Sequence, residues 1–138
     1  MTRTGQALIA GRAEAPALVL AEPLSFWGGI DVASGRVIDR SHPNLGAVVT
    51  GTVLVMPGGR GSSSSSAVLA ECLRLGTGPA AIVLSIPDPI LTVGAIVART
   101  LYGVSCPVVV CRIDGMRTGT TVRVEAADTG SARVSVTK

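Results

Sequence analysis

Five consecutive serines, Ser62 to Ser66, follow Gly58-Gly59-Arg60-Gly61 and lead into the run Ala67-Val68-Leu69-Ala70-Glu71-Cys72-Leu73. Upstream, Val53-Leu54-Val55-Met56 is apolar and rich in β-branched residues, and Pro57-Gly58-Gly59 breaks it. The apolar spacing then changes to that of a helix, so the stretch reads as strand, loop and helix with hydroxyls at the helix entrance. Backbone N–H groups in a helix's first turn have no partner inside the helix and present the positive end of its dipole. Glycines 58, 59 and 61 let a ligand approach the backbone, and Arg60 adds a permanent positive charge. A serine in that setting can bind an anion, cap the helix, or act as a base if its surroundings hold it as the alkoxide. Plain capping of a Gly/Ser-rich turn accounts for the same residues. No lysine follows a glycine as G-x-x-x-x-G-K-[ST] demands, which argues against nucleotide binding.

Other residues with chemistry are few. His42 is the only histidine and stands in the irregular segment Ser41-His42-Pro43-Asn44-Leu45-Gly46, where a hydrogen-bonded structural role is the commoner fate. Cys72, Cys106 and Cys111 are an odd number, with no C-x-x-C and one histidine to help them, so neither a disulfide framework nor a metal site is indicated. Cys106 and Cys111 bracket the apolar run 107–110, which suits buried thiols. Phe26 and Trp27, the only Phe and Trp, share a loop beside Gly28-Gly29. They suit either an interface anchor or a plug at the end of the core.

The elements that must position these residues follow from periodicity. Strand, helix, strand, helix, strand at 53–56, 66–75, 80–84, 90–101 and 107–110 is the order of a parallel βαβαβ unit, which places loop 57–62 at a strand's carboxyl end, where α/β sheets put ligands. Gly76 ends the first helix, and Pro87-Asp88-Pro89 opens the second, whose nearly unbroken apolar character predicts cover on more than one side. Before this unit, 7–10 and 17–20 read as two strands of a small sheet separated by 11–16, with Ser34-Gly35 a turn, 36–38 a brief strand, and 47–49 a strand before 52–56. After it, 121–126 and 132–136 alternate in the two-residue rhythm of half-exposed strands around 128–131. The predicted fold class is α/β, with β-rich ends flanking a βαβαβ middle.

A chain of 138 residues suits one domain. It is 47% hydrophobic but 2% aromatic, so the core must be aliphatic; only 15% of residues are charged, which leaves surface for a partner. No apolar run approaches the roughly 18 residues that span a bilayer. The start, Met1-Thr2-Arg3-Thr4-Gly5, lacks the pattern of a signal peptide. A cytoplasmic protein with no membrane partner is the expectation. The net charge is +3, but the basic residues are scattered singly, so nucleic acid is not an expected partner either.

Taken together, Ser25-Phe26-Trp27-Gly28-Gly29-Ile30-Asp31, His42-Pro43-x-x-Gly46, Met56-Pro57-Gly58-Gly59-Arg60-Gly61-Ser62 with Ser66 beyond, Pro79-Ala80-Ala81-Ile82-Val83 and Asp88-x-Ile90-Leu91-x-x-Gly94-Ala95 resemble the small subunit of the aconitase X family. The likeness runs in order from Gly11 to about Val110. It implies a swivelling β/β/α domain over the whole chain, like the mobile domain of aconitases. It also implies a large subunit, separate or fused to the swivelling domain, that carries an iron–sulfur cluster or divalent metal and most substrate contacts. Members dehydrate hydroxy acids: cis-3-hydroxy-L-proline to the imino acid Δ1-pyrroline-2-carboxylate in bacteria, and a phosphorylated mevalonate in archaea. The family's proton-abstracting serine follows Gly-[Arg/Lys]-Gly, which here is Ser62. Around it, the helix-entry chemistry sets Gly58, Gly59, Arg60, Gly61 and Ser63 near the substrate or its anionic group, and Phe26 and Trp27 are expected as anchors facing the other subunit.

The chemistry is compatible. Dehydrating a β-hydroxy acid takes a base for the proton beside the carboxylate, stabilisation of the charge that develops, and help for the departing hydroxide. Serine is a poor base at its ordinary pKa, so Ser62 would need N–H groups, the helix dipole and Arg60 around it. The Ala/Val/Gly/Arg-rich composition favours the bacterial substrate. A non-catalytic module binding an anion or protein at the same loop is the alternative of a different class, and a free-standing enzyme is a third.

Overall fold

The computed structural model describes residues 1–137. Its elements in chain order are β1 (Thr2–Ile9), β2 (Gly11–Val19), α1 (Phe26–Gly29), β3 (Ile30–Asp31), β4 (Arg36–Val37), β5 (Val53–Met56), α2 (Ser65–Leu75), β6 (Ala81–Leu84), α3 (Pro89–Tyr102), β7 (Val108–Val110), β8 (Thr121–Ala126) and β9 (Ser131–Thr137).

Seven of the strands close into a barrel in the order β1-β7-β6-β5-β2-β8-β9, with β9 pairing back onto β1. The βαβαβ unit is present as expected: β5, β6 and β7 are parallel, with Leu54 opposite Ile82 and Ile82 opposite Val108. The β-rich ends do not form a separate layer. β2 joins the parallel side against β5, while β1, β8 and β9 close the barrel by antiparallel pairing.

Side chains along the parallel strands divide between two cores. Val53, Val55, Ala81, Val83 and Val109 point into the barrel, where they meet Val122, Val124 and Val134. Leu54, Met56, Ile82, Leu84 and Val108 face the other way and pack with Leu69 and Leu73 of α2 and Leu91, Ala95 and Ala98 of α3. Burial on both faces is why β5 and β6 read as unbroken apolar runs. The barrel interior is filled by Val and Ala because a small barrel has room for little else, which fits the scarcity of aromatics.

The first long helix ends where Gly76 predicts. Gly76 takes the left-handed conformation (φ 81°), and its N–H donates to Leu73. Asp88 caps α3, its Oδ1 accepting from the N–H groups of Ile90 (2.9 Å) and Leu91 (3.1 Å). Gly94 lets α3 lie on α2: a Cβ there would stand 2.8 Å from the Ser66 carbonyl oxygen.

Three expectations need correction. Residues 11–16 are not a break between strands but most of β2, and β1 and β2 pair with other strands rather than with each other. Arg12-Ala13-Glu14-Ala15 does alternate, but its inward residues are alanines, which carry little strand signal. Residues 47–49 contribute only an isolated bridge, Val48 to Arg36. Finally, α3 is covered on one side: it buries Leu91, Gly94, Ala95 and Ala98 while Val93, Ile96 and Leu101 are exposed.

Candidate active site

Loops leaving the carboxyl ends of the parallel strands β2, β5 and β6 converge. Leu24, beyond β2, bridges to Gly59, and its carbonyl accepts the Arg60 N–H at 3.4 Å. From the other side, Ser85 Oγ donates to the Pro57 carbonyl at 2.7 Å. A Cβ built on Gly58 would press on Ile86, and one on Gly59 would collide with Asp88 Oδ2. None of glycines 58, 59 and 61 has a positive φ. The sequence reading assigns all three to close approach of a ligand; in the structure the first two are required by neighbouring loops. Gly61 alone has open space where its side chain would be.

Ser62 stands half-buried at this meeting point. Its carbonyl accepts the Ser65 N–H at 2.9 Å, and its Oγ accepts the Ser64 N–H at 3.3 Å, a turn that leads into α2. With Phe26, Gly59, Gly61, Ser65 and Asp88 it lines a depression of about 10 Å³, room for a single water. The remaining serines separate by environment. Ser63 and Ser64 are exposed, and Ser64, the N-cap of α2, makes no side-chain capping bond. Ser65 is 3% exposed, and Ser66 Oγ donates to the Ile90 carbonyl at 2.6 Å, tying α2 to α3.

Arg60 is half-exposed and pairs with Glu22 at 3.7 Å, so part of its charge is answered before any ligand arrives. Glu22 is itself held from behind. Its carbonyl lies 3.1 Å from His42 Nε2, and His42 Nδ1 accepts the Asn44 N–H at 3.0 Å, which leaves Nε2 to donate. His42 is buried and has the structural role that its type suggests. The two aromatics part company. Phe26 is fully buried among the side chains between helices and barrel, which suits a plug at the end of the core better than an interface anchor. Trp27, on the same single turn, is 60% exposed.

Asp88 escaped the sequence reading as a site residue. Its position before Pro89 signals a helix cap, but nothing local shows that the same carboxylate forms a wall beside Ser62. The cysteines lie elsewhere, all three buried and free. Burial pushes the Cys106 thiol up to about 12, which makes it inert as a nucleophile near neutrality. Among the described residues no three His, Cys, Asp or Glu side chains come together as a metal-ligand set. No helix among them is long and apolar enough to cross a membrane.

Comparison with known proteins bears on the family and the fold. The family model described as the aconitase X swivel domain matches residues 2–134. The chain is 50% identical to a cis-3-hydroxy-L-proline dehydratase of Pseudomonas aeruginosa over 73% of its own length, but spans only 17% of that relative. It is 47% identical to the phosphomevalonate dehydratase small subunit of Methanothermobacter thermautotrophicus over 64% of its own length and 67% of that subunit. Its fold superposes on a chain of the Thermococcus kodakaraensis aconitase X crystal structure (holo-form) with a TM-score of 0.88 at 31% identity, covering 100% of this chain and 99% of that one. The β/β/α barrel with its serine loop at the carboxyl ends of parallel strands is thus the swivel domain, and the chain belongs to the aconitase X family.

Proposed function

We propose that this chain supplies the proton-abstracting half of a hydro-lyase acting on a small hydroxy acid, with Ser62 as the base and a large subunit closing the site. The observation that carries this reading is the place of Ser62 beside a depression too small to enclose a substrate. About 10 Å³ compares with roughly 300–1,000 Å³ for pockets that bury small ligands, so a second surface has to complete the cavity. Gly61 supports it. Neither a positive φ nor a neighbour within 4 Å demands glycine there, so the space next to the hydroxyl is free for something outside the fold.

In this mechanism Ser62 Oγ takes the proton from the carbon next to the substrate carboxylate. The electron pair left behind forms the new double bond as hydroxide departs from the neighbouring carbon. The Ser64 N–H, at the positive end of α2, donates to Ser62 Oγ and so favours the charged form needed beforehand. Arg60, with Gly59, Gly61 and Ser63 along the loop, would face the substrate's carboxylate, and the buried Gly58 supports the loop from behind. The iron–sulfur cluster or divalent metal expected for the family is placed on the large subunit, where it would supply Lewis acidity. With three cysteines as free thiols, the cytoplasm is the compartment this reading assigns.

Charge supports cis-3-hydroxy-L-proline as substrate. Among the described residues Arg60 is the one cation lining the depression, Asp88 lines it as well, and Glu22 already pairs with Arg60. That balance suits a zwitterion bearing both a carboxylate and an ammonium better than a substrate bearing a carboxylate and a phosphate. The second reading, a phosphorylated mevalonate, is favoured by the 47% identity to a separate small subunit, in which case the missing cations belong to the partner. The test is to purify the chain with its large subunit, assay both substrates, and compare Ser62→Ala. Loss of the base is expected to lower turnover roughly 100-fold to 10,000-fold with the complex intact. A variant that keeps its turnover but assembles poorly would refute the catalytic reading in favour of a binding module.

A further inference from the structure

Trp27 and Ser62 are linked by a short chain of hydrogen bonds through Ser65. α1 is a single turn with a kink: Trp27 has φ −71° and ψ 114°, and Gly28 is left-handed at φ 76° with open space around it. Two hydrogen bonds fix the tryptophan backbone. Its N–H donates to Ser65 Oγ at 3.0 Å, and its carbonyl accepts from Ser25 Oγ at 3.0 Å. The two hydroxyls also meet each other at 3.3 Å. Ser65 is the first residue of α2, yet its hydroxyl turns to Trp27, and its own N–H donates to the Ser62 carbonyl at 2.9 Å. Two hydrogen bonds therefore separate the backbone of Trp27, a residue 60% exposed, from the backbone carbonyl of the serine read above as the base, through Ser65, which is 3% exposed.

We infer that Ser65 is a positioning residue through which seating of the large subunit on Trp27 sets the place of Ser62. The inference rests on the proposed base role of Ser62 and on the incompleteness of its depression. The surface that closes the site must pass beside Trp27, because Phe26, its neighbour on the same turn, and Ser65, its hydrogen-bond partner, both line that depression. A large aromatic on a kinked turn suits a pocket on such a partner. Holding the indole also holds residue 27, and with it the Ser65 hydroxyl and the Ser62 backbone. The leverage is large, since misplacing a reacting group by about 1 Å can cost on the order of 100-fold in rate.

The experiment uses the complex of this chain with its large subunit and reads association, KM and kcat separately. Trp27→Ala is expected to weaken association at least ~30-fold and, at saturating large subunit, to lower kcat about 10-fold. Ser65→Ala should leave association and KM within about 3-fold and lower kcat about 10-fold, with Ser65→Thr, which keeps the hydroxyl, recovering most of the loss. In the double variant the kcat losses should not multiply, because both changes cut the same linkage. Wild-type kcat in Ser65→Ala, multiplying losses, or unweakened association in Trp27→Ala overturns the inference. Should Ser65→Ala fail to fold, Ser25→Ala removes the companion hydroxyl without changing a residue of α2; it should lower kcat about 3-fold, and an unchanged kcat overturns the coupling. A fully active Ser62→Ala complex would overturn the base reading itself. An inactive Ser62→Ala complex beside a fully active Ser65→Ala complex would overturn only the coupling.

Discussion

Replacing Gly59 by alanine tests how the site is held together. The added methyl would collide with Asp88 Oδ2, while Asp88 Oδ1 is engaged by the N–H groups of Ile90 and Leu91 at the start of α3. The carboxylate cannot move aside and keep those bonds. Loss of a helix N-cap costs about 1 kcal/mol, and forcing a methyl into a packed junction adds roughly 1–3 kcal/mol, for a total of about 2–4 kcal/mol. For a chain of 138 residues, 1 kcal/mol corresponds to about 3 °C in Tm, so Gly59→Ala should melt roughly 6–12 °C below the parent. Asp88→Ala removes the cap and the obstacle together, and should lower Tm by about 3 °C. The double variant then decides the issue. With the carboxylate gone, the methyl at 59 meets less resistance, so the combined loss should fall well short of the sum. Calorimetry of the four proteins gives the cycle. Additive losses, or a Gly59→Ala variant within about 1 °C of the parent, would refute the claim that Gly59 is glycine because of Asp88.

Gly61→Ala should behave in the opposite way. Its negative φ and open surroundings predict a Tm within about 2 °C of the parent, whereas the methyl intrudes beside Ser62 and should lower turnover of the complex at least ~10-fold. The buried Cys106 thiol predicts a pH effect. Its ordinary value of 9.0 applies to the unfolded chain, and burial raises it to about 12 in the fold, so the contribution is fully present below pH 9 and is lost as pH rises from there towards 12. The loss is roughly 1.4 kcal/mol per pH unit. Urea midpoints of the parent and Cys106→Ala, compared at pH 8 and pH 10.5, should show the steeper decline in the parent.

Elements made visible by their own composition were legible in the sequence. Val53 to Met56 and Ala81 to Leu84 are apolar throughout because barrel and helices bury both faces, and Gly76 and Asp88 mark helix ends through requirements of the local backbone. The strand through Arg12 and Glu14 was hidden because its inward positions are alanines, whose strand character comes from pairing with β8. The serine run shows the same limit. All five hydroxyls look alike in sequence, and only packing puts Ser65 and Ser66 to structural use, leaves Ser63 and Ser64 exposed, and sets Ser62 at the rim.

What the sequence determined alone was the strand-loop-helix unit and the family motifs, among which Ser62 is the proposed base, since each depends on residues adjacent in the chain or on their ordered recurrence. Tertiary structure decided what depends on residues far apart. It closed both β-rich ends into one barrel with the parallel strands, brought Asp88 against Gly59, buried Phe26 while exposing Trp27, and paired Arg60 with Glu22. The physical reason is that backbone propensities and capping act over a few residues, whereas the orientation of a side chain and the company it keeps are set by whichever surfaces the closed fold brings into contact.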